Sequence, residues 1–202
     1  MEIPCSHVLL FFVIPVASHN PKYIMFCSAD PTDGFTEVKL TNANFELQKP
    51  YDMPLEGRYS FVDGLRKMWF YADDKPHVPS SHTQPCIKVQ IKGLDYSSGV
   101  WQFEGHCFVP NGASGAMIAP IHGAAHGATA LILRIYNGDS RLNIIHDVDG
   151  GKVIVFLDRN QVFQVADKGP GDLHFKCGVH GAPANISYYM ESRWRDIKIY
   201  MK

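Results

Sequence analysis

A chain of 202 residues with 19 basic and 20 acidic side chains has a formal net charge of -1, which excludes the broad positive field of a nucleic-acid binder. Hydrophobic residues at 46% and charged residues at 19% exclude disorder and predict one globular domain with a real core. Any recognition of an anion must therefore be local.

At the start, His7 to Ala17 reads HVLLFFVIPVA, too short to cross a bilayer and of the length of a secretory apolar region. Small residues follow at Cys27-Ser28-Ala29, directly before the polar Asp30-Pro31-Thr32-Asp33-Gly34. This pattern predicts a signal peptide over residues 1–29 and a mature domain over 30–202. Glu2, the lack of Lys or Arg before the apolar run, and the polar Asn20 to Lys22 fit that pattern poorly, and an uncleaved anchor is the alternative. No other segment is long and apolar enough to span a membrane, so the mature chain is expected to be soluble. Of five cysteines, cleavage leaves Cys86, Cys107 and Cys177, which in an oxidising compartment allows one disulfide and one spare thiol. Asn185-Ile186-Ser187 is a glycosylation sequon, with Asn185 as the acceptor in a secreted chain.

From Phe35 onward, short β-branched and aromatic runs alternate with Gly, Pro, Asn and Asp. Strands are predicted at Glu37–Leu40, Arg58–Phe61, Leu65–Tyr71, Ile87–Ile91, Gly99–Val109, Ala116–His122, Leu131–Tyr136, Arg141–His146, Lys152–Leu157, Gln161–Val165, His174–His180 and Ser187–Tyr200. Asn137-Gly138 and Asp149-Gly150-Gly151 have hairpin-turn chemistry. A long polar connection runs from Asp73 to Pro85. No segment sustains a helical period, so the fold class is all-β, about a dozen strands in two sheets. In Gly99–Val109 the period of two puts Trp101, Phe103, Gly105 and Cys107 on one face, with Trp101 and Phe103 as core anchors.

His174–His180 is the most informative strand. Phe175, Cys177 and Val179 share an apolar face, while His174, Lys176, Gly178 and His180 share a polar, titratable one. A strand between a core and a polar groove has this form, and so does a strand with its histidines turned to solvent.

Four blocks then carry a specific resemblance: Asp95 to Gly105, Asn143 to Asp149, His174 to Val179, and Tyr188 to Trp194. Together they resemble the plant citrate-binding proteins, which in turn are similar to the family-seven alginate lyases. The resemblance runs from about Asp30 to the C-terminus. It implies a plant origin, a jelly-roll β-sandwich with a concave groove, and delivery to the vacuole or outside the cell. After Asp139 the chain passes almost directly to Arg141, where relatives have an additional strand-sized connection, so one strand or hairpin is expected to be missing.

The wider family cleaves polyuronates by β-elimination. The proton beside a carboxylate is abstracted only when the carboxylate's charge is neutralised, by Arg and an amide, while His or Tyr moves protons. On this chain the family's Arg-Thr-Glu-Leu-Arg motif falls on Cys86-Ile87-Lys88-Val89-Gln90, so both arginines are replaced. The Gln-Ile-His motif falls on Pro120-Ile121-His122, keeping only the His. In the Tyr-Phe-Lys-Ala-Gly-Val-Tyr motif Lys176 and Gly178 remain, and the final tyrosine is His180. An imidazole moves protons but does not offset a carboxylate in the bidentate manner of arginine.

Two functions follow from different classes. The first is a secreted or vacuolar, non-catalytic binder of citrate or another carboxylate or acidic sugar, through Lys88, Gln90, His122, His174, Lys176 and His180. The second is a divergent polyuronate lyase in which His122 and His180 act as base and acid, with Lys88 and Lys176 as point charges. Two facing histidines without a third ligand do not suffice for a metal, and neither a metal nor another cofactor is expected. The expected partner is a small carboxylate or acidic polysaccharide rather than nucleic acid, with no membrane span after signal cleavage.

Overall fold

The computed structural model describes residues 12–15, 29–81, 83–113, 116–123, 131–136, 138–169, 171–181 and 187–202. Fourteen strands lie among them: β1 (Phe12–Pro15), β2 (Thr36–Val38), β3 (Phe45–Gln48), β4 (Tyr59–Val62), β5 (Leu65–Tyr71), β6 (Cys86–Ile91) and β7 (Val100–Val109), then β8 (Ala116–His122), β9 (Leu131–Tyr136), β10 (Gly138–Asp147), β11 (Lys152–Leu157), β12 (Asn160–Ala166), β13 (His174–His180) and β14 (Tyr189–Met201). They form two sheets. One has the order β1-β9-β8-β13-β6-β3; the other runs β12-β11-β10-β7-β14-β5-β4, with β2 added on β14. Every pairing is antiparallel except β1 on β9, which places Phe12–Pro15, within the stretch read as a leader, on a sheet edge. Asn185 lies outside the described residues.

Alternation places the core. In β5, Arg66, Met68 and Phe70 are buried while Leu65, Lys67, Trp69 and Tyr71 are half-buried. In β11, Val153, Val155 and Leu157 turn inward. The two sheets meet through Phe103 of β7 and Phe175 of β13, whose ring centroids are 5.8 Å apart, with Trp194 edge-on to Phe103 at 5.8 Å. Fully burying a side chain of this size is worth roughly 1.5–3 kcal/mol, so these rings hold the sandwich shut. At one end Tyr96 stacks on Trp101 at 5.0 Å, and its hydroxyl meets His146 Nδ1 at 2.9 Å.

The predicted strands are all present, with bounds shifted by a few residues. Phe45–Gln48 carries too few alternations before Lys49-Pro50 to be read as a strand, yet β3 pairs with β6 and edges the sheet that matters most. The expectation of a hairpin at Asn137-Gly138 is corrected. β9 belongs to the six-stranded sheet and β10 to the eight-stranded one, so this dipeptide carries the chain between sheets. One residue separates these two strands, and the passage from Asp139 to Arg141 lies inside β10. Asp149-Gly150-Gly151 does close a hairpin, between β10 and β11, with Gly151 at φ 62° and Gly150 N–H donating to Asp147 at 2.7 Å.

A disulfide is also not formed: Cys86, Cys107 and Cys177 are buried free thiols. Cys86 stands opposite His180 and Cys177 opposite Val89 on paired strands. Alternation turns Cys177 to the core and Cys86 to the other face, so adjacency in the sheet does not bring their sulfurs together.

Candidate functional site

The outward face of the six-stranded sheet gathers the predicted residues. On β13, Phe175, Cys177 and Val179 are buried in the core, and His174, Lys176 and His180 are half-buried on the other side. On β6, Ile87, Val89 and Ile91 turn inward, leaving Lys88 and Gln90 beside β13. The register sets Gln90 opposite Lys176 and Gly178 opposite Lys88. A Cβ at Gly178 would lie 2.2 Å from the Ile87 carbonyl oxygen, so only glycine lets the two strands approach here. On the other side of β13, His122 of β8 stands opposite His174, and their rings lie nearly parallel with centroids 6.1 Å apart. All six predicted ligand residues therefore share one face of three adjacent strands.

Two further residues join them that sequence reasoning missed. Gln48 of β3 accepts from Lys176 Nζ at 3.2 Å and donates to Gln90 Oε1 at 3.4 Å, which fixes the lysine's position. His77 comes from the long Asp73–Pro85 connection, and burial, followed by the charges of Lys88 and Lys176, opposes its protonation. The only sequence signal for His77 was a histidine in a connection that returns from β5 to β6.

The face is positive and poorly satisfied. Neither Lys88 nor Lys176 has an ion-pair partner among the described residues. Burial, and then the charge of Lys88, bring the Lys176 ammonium down to about 8. Burial followed by the two lysines pushes His122 down to about 2, and burial followed by Lys88 pushes His180 down to about 4. Burial also lowers His174 and His77, so protonation of all four imidazoles is opposed. Buried ring nitrogens of His77 (Nδ1), His174 (Nε2) and His180 (Nδ1) have no hydrogen-bond partner among the described residues. An orphaned buried polar atom costs about 1–3 kcal/mol, so three on one face call for an explanation.

Arginine is engaged elsewhere. Arg58 pairs with Asp74 at 2.5 Å, and Arg66 lies over the rings of Phe45 and Phe61. Arg141 bridges Asp30 and Glu104, Arg159 reaches Asp30, Arg193 pairs with Glu191, and Arg195 lies 3.7 Å from Asp139. The side chain of Arg134 lies outside the described residues. A hollow on the opposite sheet, lined by His106, Phe108, Asp139, Arg193 and Arg195, holds two of these self-paired guanidiniums.

No family model matches the chain. Solved structures define its class: an alginate lyase of polysaccharide lyase family 7 superposes with a TM-score of 0.59 at 12% identity, covering 79% of this chain and 96% of that one. The alginate lyase of Corynebacterium sp. gives 0.58 at 10% identity, with 77% and 93% covered. The architecture is the jelly roll of the alginate lyases. In sequence, the chain is 48% identical to a citrate-binding protein of Hevea brasiliensis over 213 residues, covering 97% of this chain and 87% of that protein. It belongs to the citrate-binding protein family. The matched length exceeds the 202 residues of this chain, so the relative carries residues that this one lacks.

Proposed function

We propose that the chain binds citrate or another polyvalent carboxylate on the outward face of its six-stranded sheet, without turning it over. The observation that carries this reading is the pair Lys88 and Lys176, lacking carboxylate partners among the described residues and surrounded by the open nitrogens of His77, His174 and His180. Two ammonium groups in a half-buried setting attract an anion more strongly than they would in bulk water, and a ligand carboxylate supplies the acceptors they lack. Gln48 and Gln90 hold Lys176 in place before the ligand arrives, which lowers the cost of ordering it on binding. The name of the Hevea relative points to the same ligand class.

Lyase chemistry is disfavoured by the same geometry. Neutralising a uronate carboxylate in the transition state is the task of a bidentate guanidinium, and each described arginine side chain is committed elsewhere. His122 is neutral and could accept a proton, but lysines at the former Glu position and on β13 offer point charges in place of a fork. The predicted leader, and the Asn185 sequon, favour the secretory pathway, with the vacuole or apoplast as destination.

Titration calorimetry of the mature chain with citrate at several salt concentrations tests the reading. Binding that weakens with salt is expected; no heat at low salt overturns it. Incubation with alginate and glucuronan while following the absorbance of the unsaturated product tests the second function. Product that disappears in His122→Ala would make the chain a lyase.

A further inference from the structure

One nitrogen on this face is more informative than the others, because its tautomer is fixed. His174 Nδ1 lies 3.3 Å from the Asp172 carbonyl oxygen and 3.5 Å from Asp95 Oδ1. A carbonyl and a carboxylate only accept, so the ring carries its proton on Nδ1. Nε2, at the far corner of the ring, is then a bare lone pair. It is buried, without a hydrogen-bond partner among the described residues, and its ring lies against His122.

A carboxylate has nothing to give that lone pair, since it too only accepts. An ammonium donor is disfavoured beside Lys176 and Lys88, and charging the ring itself is opposed by burial and then by Lys176, against weaker support from the Asp172 carbonyl and Asp95. Water can donate to Nε2 in the unliganded protein, but a ligand that displaces that water has to return a donor. A hydroxyl does so.

We infer that His174 Nε2 accepts a hydrogen bond from a ligand hydroxyl, so that the site selects a hydroxylated polycarboxylate over its deoxy counterpart. This rests on the carboxylate-binding reading, in which Lys88 and Lys176 take the acid groups; His174 adds the alcohol. Asp95 is a positioning residue, holding the proton on Nδ1 without touching the ligand. The chemical class is a hydroxy acid such as citrate or a uronate, in which a hydroxyl stands close to a carboxylate.

Citrate and tricarballylate differ only by that hydroxyl, and calorimetry with both separates the possibilities. The wild-type chain is expected to bind citrate about tenfold or more tightly, because the deoxy acid leaves Nε2 unpaired. In His174→Phe, which keeps a flat ring against His122, the preference should vanish: citrate loses its acceptor and tricarballylate no longer leaves a lone pair unpaired, so the two acids should bind within about twofold of each other. Equal affinities in the wild type overturn the inference and leave carboxylate binding standing. A preference that persists in the variant overturns the assignment to His174. Binding of neither acid removes the carboxylate reading and the inference with it. Nitrogen-15 imidazole shifts of the wild-type chain give a check that needs no variant: a His174 proton on Nε2 in place of Nδ1 would also overturn it.

Discussion

The two outer faces of the sandwich use the same kinds of side chain in opposite ways. On the eight-stranded sheet Arg141 donates to Asp30 at 2.7 Å and to Glu104 at 2.6 Å, and Glu104 also accepts from Asn143 at 2.7 Å. Glu191 there is held by Lys67, Arg193 and the Tyr189 hydroxyl. On the six-stranded sheet, Lys88 and Lys176 have no carboxylate partner among the described residues, Lys176 donates to the Gln48 amide, and three imidazole nitrogens face no described partner. Charges that satisfy one another stabilise a fold. Charges left open on a half-buried face cost stability unless something else completes them, and that asymmetry, rather than charge itself, distinguishes a site from a scaffold.

The contrast breaks most visibly at Arg141. Arg141→Met leaves Glu104 with a buried, under-paired carboxylate and should cost about 2 kcal/mol or more in urea unfolding, with citrate affinity of the folded fraction unchanged. The same change on the other face, Lys176→Met, should do the reverse. Citrate affinity should drop about tenfold, about 1.4 kcal/mol, while stability holds or rises, because a half-buried ammonium is removed. If both substitutions acted alike, the division between scaffold and site would be lost.

Acidity sharpens the comparison. Between the ordinary imidazole value of 6.5 and the value near 4 for His180, the unfolded chain binds protons that the folded chain refuses. Stability should therefore fall as pH drops through that window, and a His180→Asn chain should show a shallower fall. For Lys176 the folded value near 8 lies below the unfolded 10.5, so the unfolded state binds the extra proton and stability rises with pH between them. Citrate affinity should move oppositely, weakening as pH rises through about 8 and the lysine discharges. The carboxylate of Asp30, held well below its ordinary range chiefly by its hydrogen bond to Arg141, keeps the scaffold face ionised throughout both windows.

The smallest effect expected is at the thiols. Burial raises Cys86 and Cys107 and raises Cys177 to about 12, so none is a ready thiolate. An alkylating reagent should leave all three untouched in the native chain and modify all three in urea. A pair that resists even then would reveal a disulfide.

Much of this was legible from the residues. Strand alternation is a local property, so the faces of β7 and β13 could be assigned from the period of two, and the resemblance supplied the sandwich that joins them. Asn137-Gly138 misled because turn chemistry reports that a chain bends and not which sheet receives it. Gln48 and His77 were missed for a related reason. Phe45–Gln48 is short, His77 sits in an irregular connection, and neither has a pattern of its own.

The sequence by itself determined that the chain is all-β and that His174, Lys176 and His180 share a face, because each of these depends on residue identity and a two-residue repeat; that the lyase arginine positions fall on Cys86 and Gln90 is what the resemblance implies. Only the tertiary structure decided that Lys88 and Lys176 have no carboxylate partner among the described residues, that Gln48 braces Lys176, and that Asp172 and Asp95 fix which nitrogen of His174 is bare. Apart from the local contact of His174 with Asp172, those properties belong to pairs of residues far apart in the chain, and partnership across strands is created by register and packing, which no local pattern encodes.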